Sequence, residues 1–269
     1  MKKLTFILFF VLAGSAAARC DNAGTDELLR NLNEAIDNQA VYTDGKKAEI
    51  EVLRQRKLRA QSTEDIYAIN REIIGNYESF ICDSAEYYIR QNLRIARKLG
   101  NRDYISECEL QLAFIYSLSG LFLQANDIFS SIEYDSLQVD QKCRYYWNRI
   151  RFYENLMTYT NDRELSETYK REIGICRDSV MTLLPVGTKE WQTERAFKLM
   201  ENGRPEGARD IFDGIFRAEE PGTHQYAMAA MCLAKAYAQM GDREQQEKYL
   251  ILAATTDIRL AVKENEALL

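Results

Sequence analysis

Histidine occurs once in this 269-residue chain, at His224. A Ser-His-Asp or Cys-His nucleophile would have to be built on that single imidazole, and a zinc site drawing on several histidines is excluded. The six cysteines do not fill the gap, because no two form a C-x-x-C pair. Three prolines and 13 glycines are too few for long flexible linkers. No G-x-S-x-G, H-E-x-x-H or phosphate-cradling glycine loop occurs. Basic excess is missing too. The formal net charge is −6, which argues against a nucleic-acid surface, since phosphate binding needs clustered Lys and Arg. The one dense basic stretch, 46–59, is interrupted by Glu49 and Glu51 and reads as a solvated helix face. His224 follows Pro221-Gly222-Thr223 at a helix start and reads as incidental. The expectation is a non-enzyme with no catalytic residues, no metal site and no cofactor.

An apolar run long enough to cross a bilayer is also missing. The stretch Leu4–Leu12 falls well short of the roughly 20 residues required. It is flanked by Lys2 and Lys3 before and Ala13-Gly14-Ser15-Ala16-Ala17-Ala18 after, with an A-x-A site ending at Ala18. That is the plan of a secretory signal peptide over 1–18, of bacterial type, and it places the mature chain in the periplasm. Losing Lys2 and Lys3 takes the charge from −6 to −8. Cys20 stands where bacterial lipoproteins carry their lipidated cysteine. Arg19, however, replaces the small residue such signals have before it, so ordinary cleavage near Ala18 is the favoured reading and lipidation of Cys20 the alternative. Cys82, Cys108, Cys143, Cys176 and Cys232 each fall within a helical pattern and read as small apolar packing residues, although an oxidising compartment would permit disulfides.

What the chain does have is a repeated spacing. Ala113, Tyr116, Gly120, Ala125 and Phe129 lie at steps of 3, 4, 5 and 4. Ala196, Leu199, Gly203, Ala208 and Phe212 repeat those steps, and Ala234, Tyr237, Gly241, Gln246 and Leu250 repeat them again. A small residue lets two helices approach, an aromatic fills the space between them, and a glycine ends the first helix. The second small and large residues dock the second helix on the first. The pattern resembles the tetratricopeptide repeat (TPR). The resemblance implies an all-α, right-handed α-solenoid of TPR-like helix pairs, in which scaffold and function are separate matters.

Around these three repeats the periodicity predicts further helices. Thr25 caps one carrying Leu28, Leu29, Leu32 and Ile36, a turn spans 38–44, and a charged helix runs over 45–59. Ser62 with Asp65 caps a helix holding Ile66, Ile69, Ile73, Tyr77 and Phe80, and a partner helix runs from Cys82 to Leu99. A less regular pair over 143–183 turns at Asn161-Asp162. Asp242 with Gln245 caps the last clear helix, and Thr256 opens another. The expected organisation is a signal peptide over 1–18, an N-terminal helical hairpin over 19–62, and a TPR-like solenoid over 63–269 that ends in mid-repeat.

Three stretches are similar to one group of TPR proteins. They are Leu28-Leu29-Arg30-Asn31-Leu32-Asn33-Glu34-Ala35-Ile36 followed by Tyr42, Tyr77-Glu78-Ser79-Phe80-Ile81-Cys82-Asp83-Ser84-Ala85, and Gly241-Asp242-Arg243-Glu244-Gln245 with Asp257-Ile258-Arg259-Leu260-Ala261-Val262-Lys263-Glu264-Asn265. Together they resemble the exported TPR half of a family of Bacteroidetes membrane-bound transcriptional regulators. In that family a transmembrane helix and a cytoplasmic helix-turn-helix follow. This chain carries neither, so the resemblance implies a truncated sensing ectodomain or a free-standing relative. It implies no nucleic-acid binding by this segment, and membrane attachment only through a missing C-terminal segment or a lipidated Cys20.

The TPR resemblance also implies a concave groove, lined by the first helix of each pair, for a protein or peptide ligand. Its register places Glu107, Leu110, Phe114 and Ser117 there, then Glu190, Thr193, Phe197 and Met200, then Met228, Met231, Lys235 and Gln239. Phe114 and Phe197 stand where a carboxylate clamp needs Asn, so an apolar groove lined by Met and Phe is expected. The competing reading is that these side chains pack against neighbouring repeats. Tyr87-Tyr88 and Tyr145-Tyr146 read as inter-helix packing rather than as a carbohydrate platform.

Overall fold

The computed structural model describes residues 23–78 and 80–262. Residues 1–18, where a leader is expected, Cys20 and residues 263–269 lie outside the described residues. Within them the chain forms twelve α-helices, one 3-10 turn and no strand. Two N-terminal helices, α1 (Ala23–Asp37) and α2 (Gln39–Leu58), precede five antiparallel pairs. These are α3 (Thr63–Tyr77) with α4 (Cys82–Leu99), α5 (Arg102–Leu118) with α6 (Phe122–Ser131), α7 (Val139–Thr158) with α8 (Arg163–Leu183), α9 (Lys189–Glu201) with α10 (Pro205–Ala218), and α11 (His224–Met240) with α12 (Arg243–Arg259). The fold is an all-α solenoid of TPR-like pairs.

The repeat spacing works as its residue types require. Ala113, Ala125, Ala196 and Ala208 are buried completely, and Phe129 and Phe212 dock the second helices. Gly241 takes φ 78, a left-handed conformation that costs a side chain about 1 kcal/mol, and so stops α11. The next residue then donates its N–H back to the motif's large residue: Leu121 to Tyr116 at 2.8 Å, Arg204 to Leu199 at 2.9 Å, Asp242 to Tyr237 at 3.0 Å. One cap is thus used three times. Two of the expected side-chain caps form, Ser62 accepting from Asp65 N–H at 3.0 Å and Asp242 from Gln245 N–H at 3.1 Å, whereas Thr25 lies inside α1, which already begins at Ala23. The third repeat departs in detail. Leu250 is only half-buried, and its neighbour Tyr249 enters the core instead, ring to ring with Tyr237.

Neighbouring first helices are also tied by amides. Gln141, Asn148 and Asn155 of α7 donate to the carbonyls of Asp103, Leu110 and Ser117 of α5, at 2.9, 2.8 and 3.0 Å. Donors and acceptors both advance by seven residues, two turns of helix, so the three bonds form a straight ladder. The last of them satisfies the Ser117 carbonyl in the final turn of α5, where the helix itself supplies no donor.

Two large blocks of core and a small cluster result. The cluster, Ile150, Ile173 and Cys176, joins α7 to α8. One large block, with Ile50, Ile73, Ile89, Leu112, Phe129 and Phe152, runs from α2 to α7. The other, with Ala196, Phe212, Leu233 and Ala253, joins α9 to α12.

Both ends differ from expectation. The predicted turn over 38–44 is a break of one residue, Asn38, and α2 runs on through it. Hydrogen bonds from Asn38 N–H to Glu34 O and from Tyr42 N–H to Asn38 O keep helical spacing across the break. The two helices therefore do not fold back as a hairpin. Instead α2 packs on α3, and α1 lies against α12, at the other end of the chain. Leu28, Leu29 and Leu32 are half-buried and Ala35 fully buried. Nor does a new helix begin at Thr256: α12 continues to Arg259 and completes its pair. Its second half, from Ala253 to Ile258, is buried on all sides because α11 covers one face and α1 another. Beyond it, Ala261 joins the core block that holds Ile50 and Ile73. The two ends of the solenoid meet.

Candidate partner-binding groove

A cleft of about 670 Å³ opens between the first helices α3, α5 and α7. Ala68, Arg71, Glu72 and Gly75 come from α3, Glu107, Gln111 and Phe114 from α5, and Arg144 and Asn148 from α7, with Glu78 at the end of α3. Glu107 is its centre. One carboxylate oxygen meets Arg71 Nη2 at 2.9 Å and Arg144 Nη1 at 3.6 Å, and the other accepts from the Tyr67 hydroxyl at 3.3 Å. The Glu107 side chain is 13% exposed, whereas Arg71 is 52% and Arg144 40% exposed. Gln111 donates to Glu78 at 3.3 Å, and Glu72 is held from outside by Arg56 of α2. The lining is charged, which corrects the expectation of an apolar Met- and Phe-lined groove.

The groove positions divide sharply. Glu107 and Phe114 line this cleft. Leu110 and Ser117 do not: both are buried, because the ladder from Asn148 and Asn155 turns that side of α5 against α7. Met231 is buried as well, between α11 and its neighbours. Phe197 and Met200 pack on the second core block, with the Phe197 ring 5.2 Å from that of Phe212 and 4.7 Å from the Arg177 guanidinium. Gln239 bonds the carbonyl of Met200 across to α9 at 2.9 Å. Glu190 and Met228 are exposed, and Thr193 and Lys235 half-buried. The groove face of α5 is therefore 107, 111 and 114, one helical step away from the 107, 110, 114, 117 face expected. The spacing of Gln141, Asn148 and Asn155 was the available sign that Leu110 and Ser117 face another helix.

A second polar cluster gave no sequence signal at all. Between the two core blocks Arg177 of α8 bonds Glu194 of α9, both charged groups being almost fully buried, and reaches Glu201 at 2.8 Å. The Trp147 indole N–H of α7 donates to Glu194 at 2.9 Å. Burial pushes the Glu194 carboxyl above its ordinary range, against the opposing pull of Arg177 and Trp147. Partners 17 and 47 residues away along the chain leave no local pattern to read.

The histidine and the cysteines stand apart from the cleft. His224 begins α11, half exposed, its Nδ1 3.8 Å from the buried Asp257. Cys108, Cys143 and Cys176 are buried among helices, and no described cysteine is in a disulfide. Burial pushes the Cys108 thiol up to about 12 and that of Cys176 to about 11. Because the thiolate is the reactive form, both will react with a disulfide reagent at pH 7.5 at least ~100-fold more slowly in the folded chain than in urea. Mass mapping of labelled peptides over time measures this, and fast labelling of either would mean that its helix interface opens. Among the described residues no cluster of His, Cys, Asp and Glu could hold a metal ion, and no helix is long and apolar enough to cross a membrane.

Helix pairs laid side by side, three of them built on one repeated motif and capped alike, define a tetratricopeptide-repeat protein. A family model, that of the SusR N-terminal TPR domain, matches residues 36–269, and the chain belongs to that family. A search of curated proteins found no match. The family is a non-catalytic repeat fold, and TPR domains in general bind protein partners.

Proposed function

We propose that this chain is a periplasmic protein-interaction module, the sensing ectodomain or a truncated form of a membrane-bound transcriptional regulator, and that it takes its partner in the cleft between α3, α5 and α7. The cleft carries the reading. It lies between the first helices of three successive pairs, and its two arginines stay half exposed beside the nearly buried Glu107. Family membership supports the regulator and the leader-like residues 1–18 support export. Cys20 favours a second reading, a free-standing lipoprotein that assembles an envelope complex. Metabolic labelling with palmitate that is lost in Cys20→Ser would support it.

The groove is tested by panning a displayed library of random twelve-residue peptides on the purified chain. Phe114→Asp is the informative variant, because Phe114 lines the cleft and Phe197 does not; Phe114 also packs against the first core block, so the variant is read only where its fold is kept. Wild type is expected to enrich a peptide family that Phe114→Asp, with unchanged circular dichroism, binds at least about tenfold more weakly. Equal binding by both would end the groove reading.

A further inference from the structure

We infer that the partner presents a carboxylate, next to an apolar side chain, to Arg71 and Arg144. This rests on the groove reading above and names what the groove selects.

Two guanidiniums from different helices converge on one internal carboxylate, Glu107. Each has five N–H donors, and Glu107 takes one contact from each. Both arginines remain about half exposed and line the cleft, so donors remain for a second acceptor. Glu107 fixes them. Held by Tyr67 and almost buried, it orients both planar forks and offsets only one of their two charges; the other carboxylates of the lining are engaged elsewhere, Glu72 by Arg56 and Glu78 by Gln111. A planar carboxylate matches such a fork in two-point contact. A phosphate dianion would carry twice the charge past Glu107 and meet the stronger repulsion. A cation would have to approach both guanidiniums.

The neighbouring surface sets the second half of the preference. Phe114 offers a ring on the α5 side, and Ala68 and Gly75 leave the opposite wall low. A Cβ on Gly75 would meet nothing within 4 Å, so the space above it is open. An apolar side chain beside the acidic one fits against Phe114.

The same peptide library, panned on wild type and on Arg71→Ser/Arg144→Ser, separates the two ideas. The double variant leaves the nearly buried Glu107 without its arginines, so circular dichroism checks its fold and binding is repeated with Glu107→Gln added. Wild type is expected to enrich Asp or Glu adjacent to an apolar residue. The variant is expected to lose the acidic preference and bind the selected acidic peptides at least about tenfold more weakly. Wild-type affinity for a synthetic acidic peptide is also expected to fall several-fold between 0.05 and 0.5 M NaCl in this assay, about 30-fold being an upper figure, and that of the variant to stay flat. Enriched peptides without acidic bias, or an acidic bias unchanged in the variant, would overturn the inference while leaving the groove intact. If wild type enriches nothing, the groove reading fails and the inference falls with it.

Discussion

Replacing Arg177 by methionine will destabilise the fold by about 3–5 kcal/mol, a fall in Tm of roughly 6–20 °C for a chain of this size. Methionine fills much of the volume, so the cost is chiefly electrostatic. Glu194 stays buried with its counter-charge removed, and Phe197 loses the guanidinium over its ring. The loss depends on pH with a definite sign. Burial already raises the folded pKa of Glu194, and removing Arg177 raises it further. A raised carboxyl pKa means that the folded state binds the proton more tightly, so its contribution favours folding in acid and declines as pH rises through the folded value. The gap between variant and wild type is therefore expected to be larger at pH 8 than at pH 5 in urea titrations. Adding Glu194→Gln, which keeps an acceptor for Trp147, should recover part of the loss and flatten the pH dependence. A gap independent of pH would show that packing, not charge, holds this joint.

Phe212→Ala is expected to cost about 3–5 kcal/mol, in the upper part of that range. The ring is 1% exposed and sits among Ala196, Ala208, Ala230 and Ala234, with Phe197 at its edge. Alanines have no side chain with which to collapse into the space left, so most of the cavity persists. Leu123→Ala, at a position 71% exposed, is the control and should change stability by less than ~0.5 kcal/mol. Equal denaturation midpoints for the two variants would mean that the second block does not depend on its large motif residue.

The contrast between Phe212 and Arg177 shows what could be read in the sequence and why. Phe212 belongs to a pattern of local steps, and short-range helical geometry dictates where each member of that pattern goes. The same holds for Gly241, Ser62 and Asp242, whose roles are decided within five residues of themselves. Family and fold were accordingly legible. The cleft was legible only in part. Glu107 and Phe114 were recognised, but Arg71, Gln111 and Arg144 were not, because the rotation of α5 about its own axis is set by α7 through the amide ladder. A register borrowed from a repeat motif is accurate to about one helical step, roughly 100°. One step separates the groove residue Gln111 from the buried Leu110. The Arg177 joint and the meeting of α1 with α12 depend on residues far apart in the chain, which no periodicity reports. The second half of α12, buried on all sides, even conceals its own amphipathic signature.

An open solenoid draws its stability from adjacent repeats, and its terminal repeats fray first. Here α1 rests on α12, so each terminus guards the other. During synthesis α1 lacks its docking surface on α12 until α12 has formed. Joining residues some 200 positions apart adds only slowly growing loop entropy, since each doubling of length costs about 0.6 kcal/mol. The reward comes late, once every pair between them is in place. This turns a row of semi-independent units into one cooperative body, and slackening at either terminus is felt at once by the other.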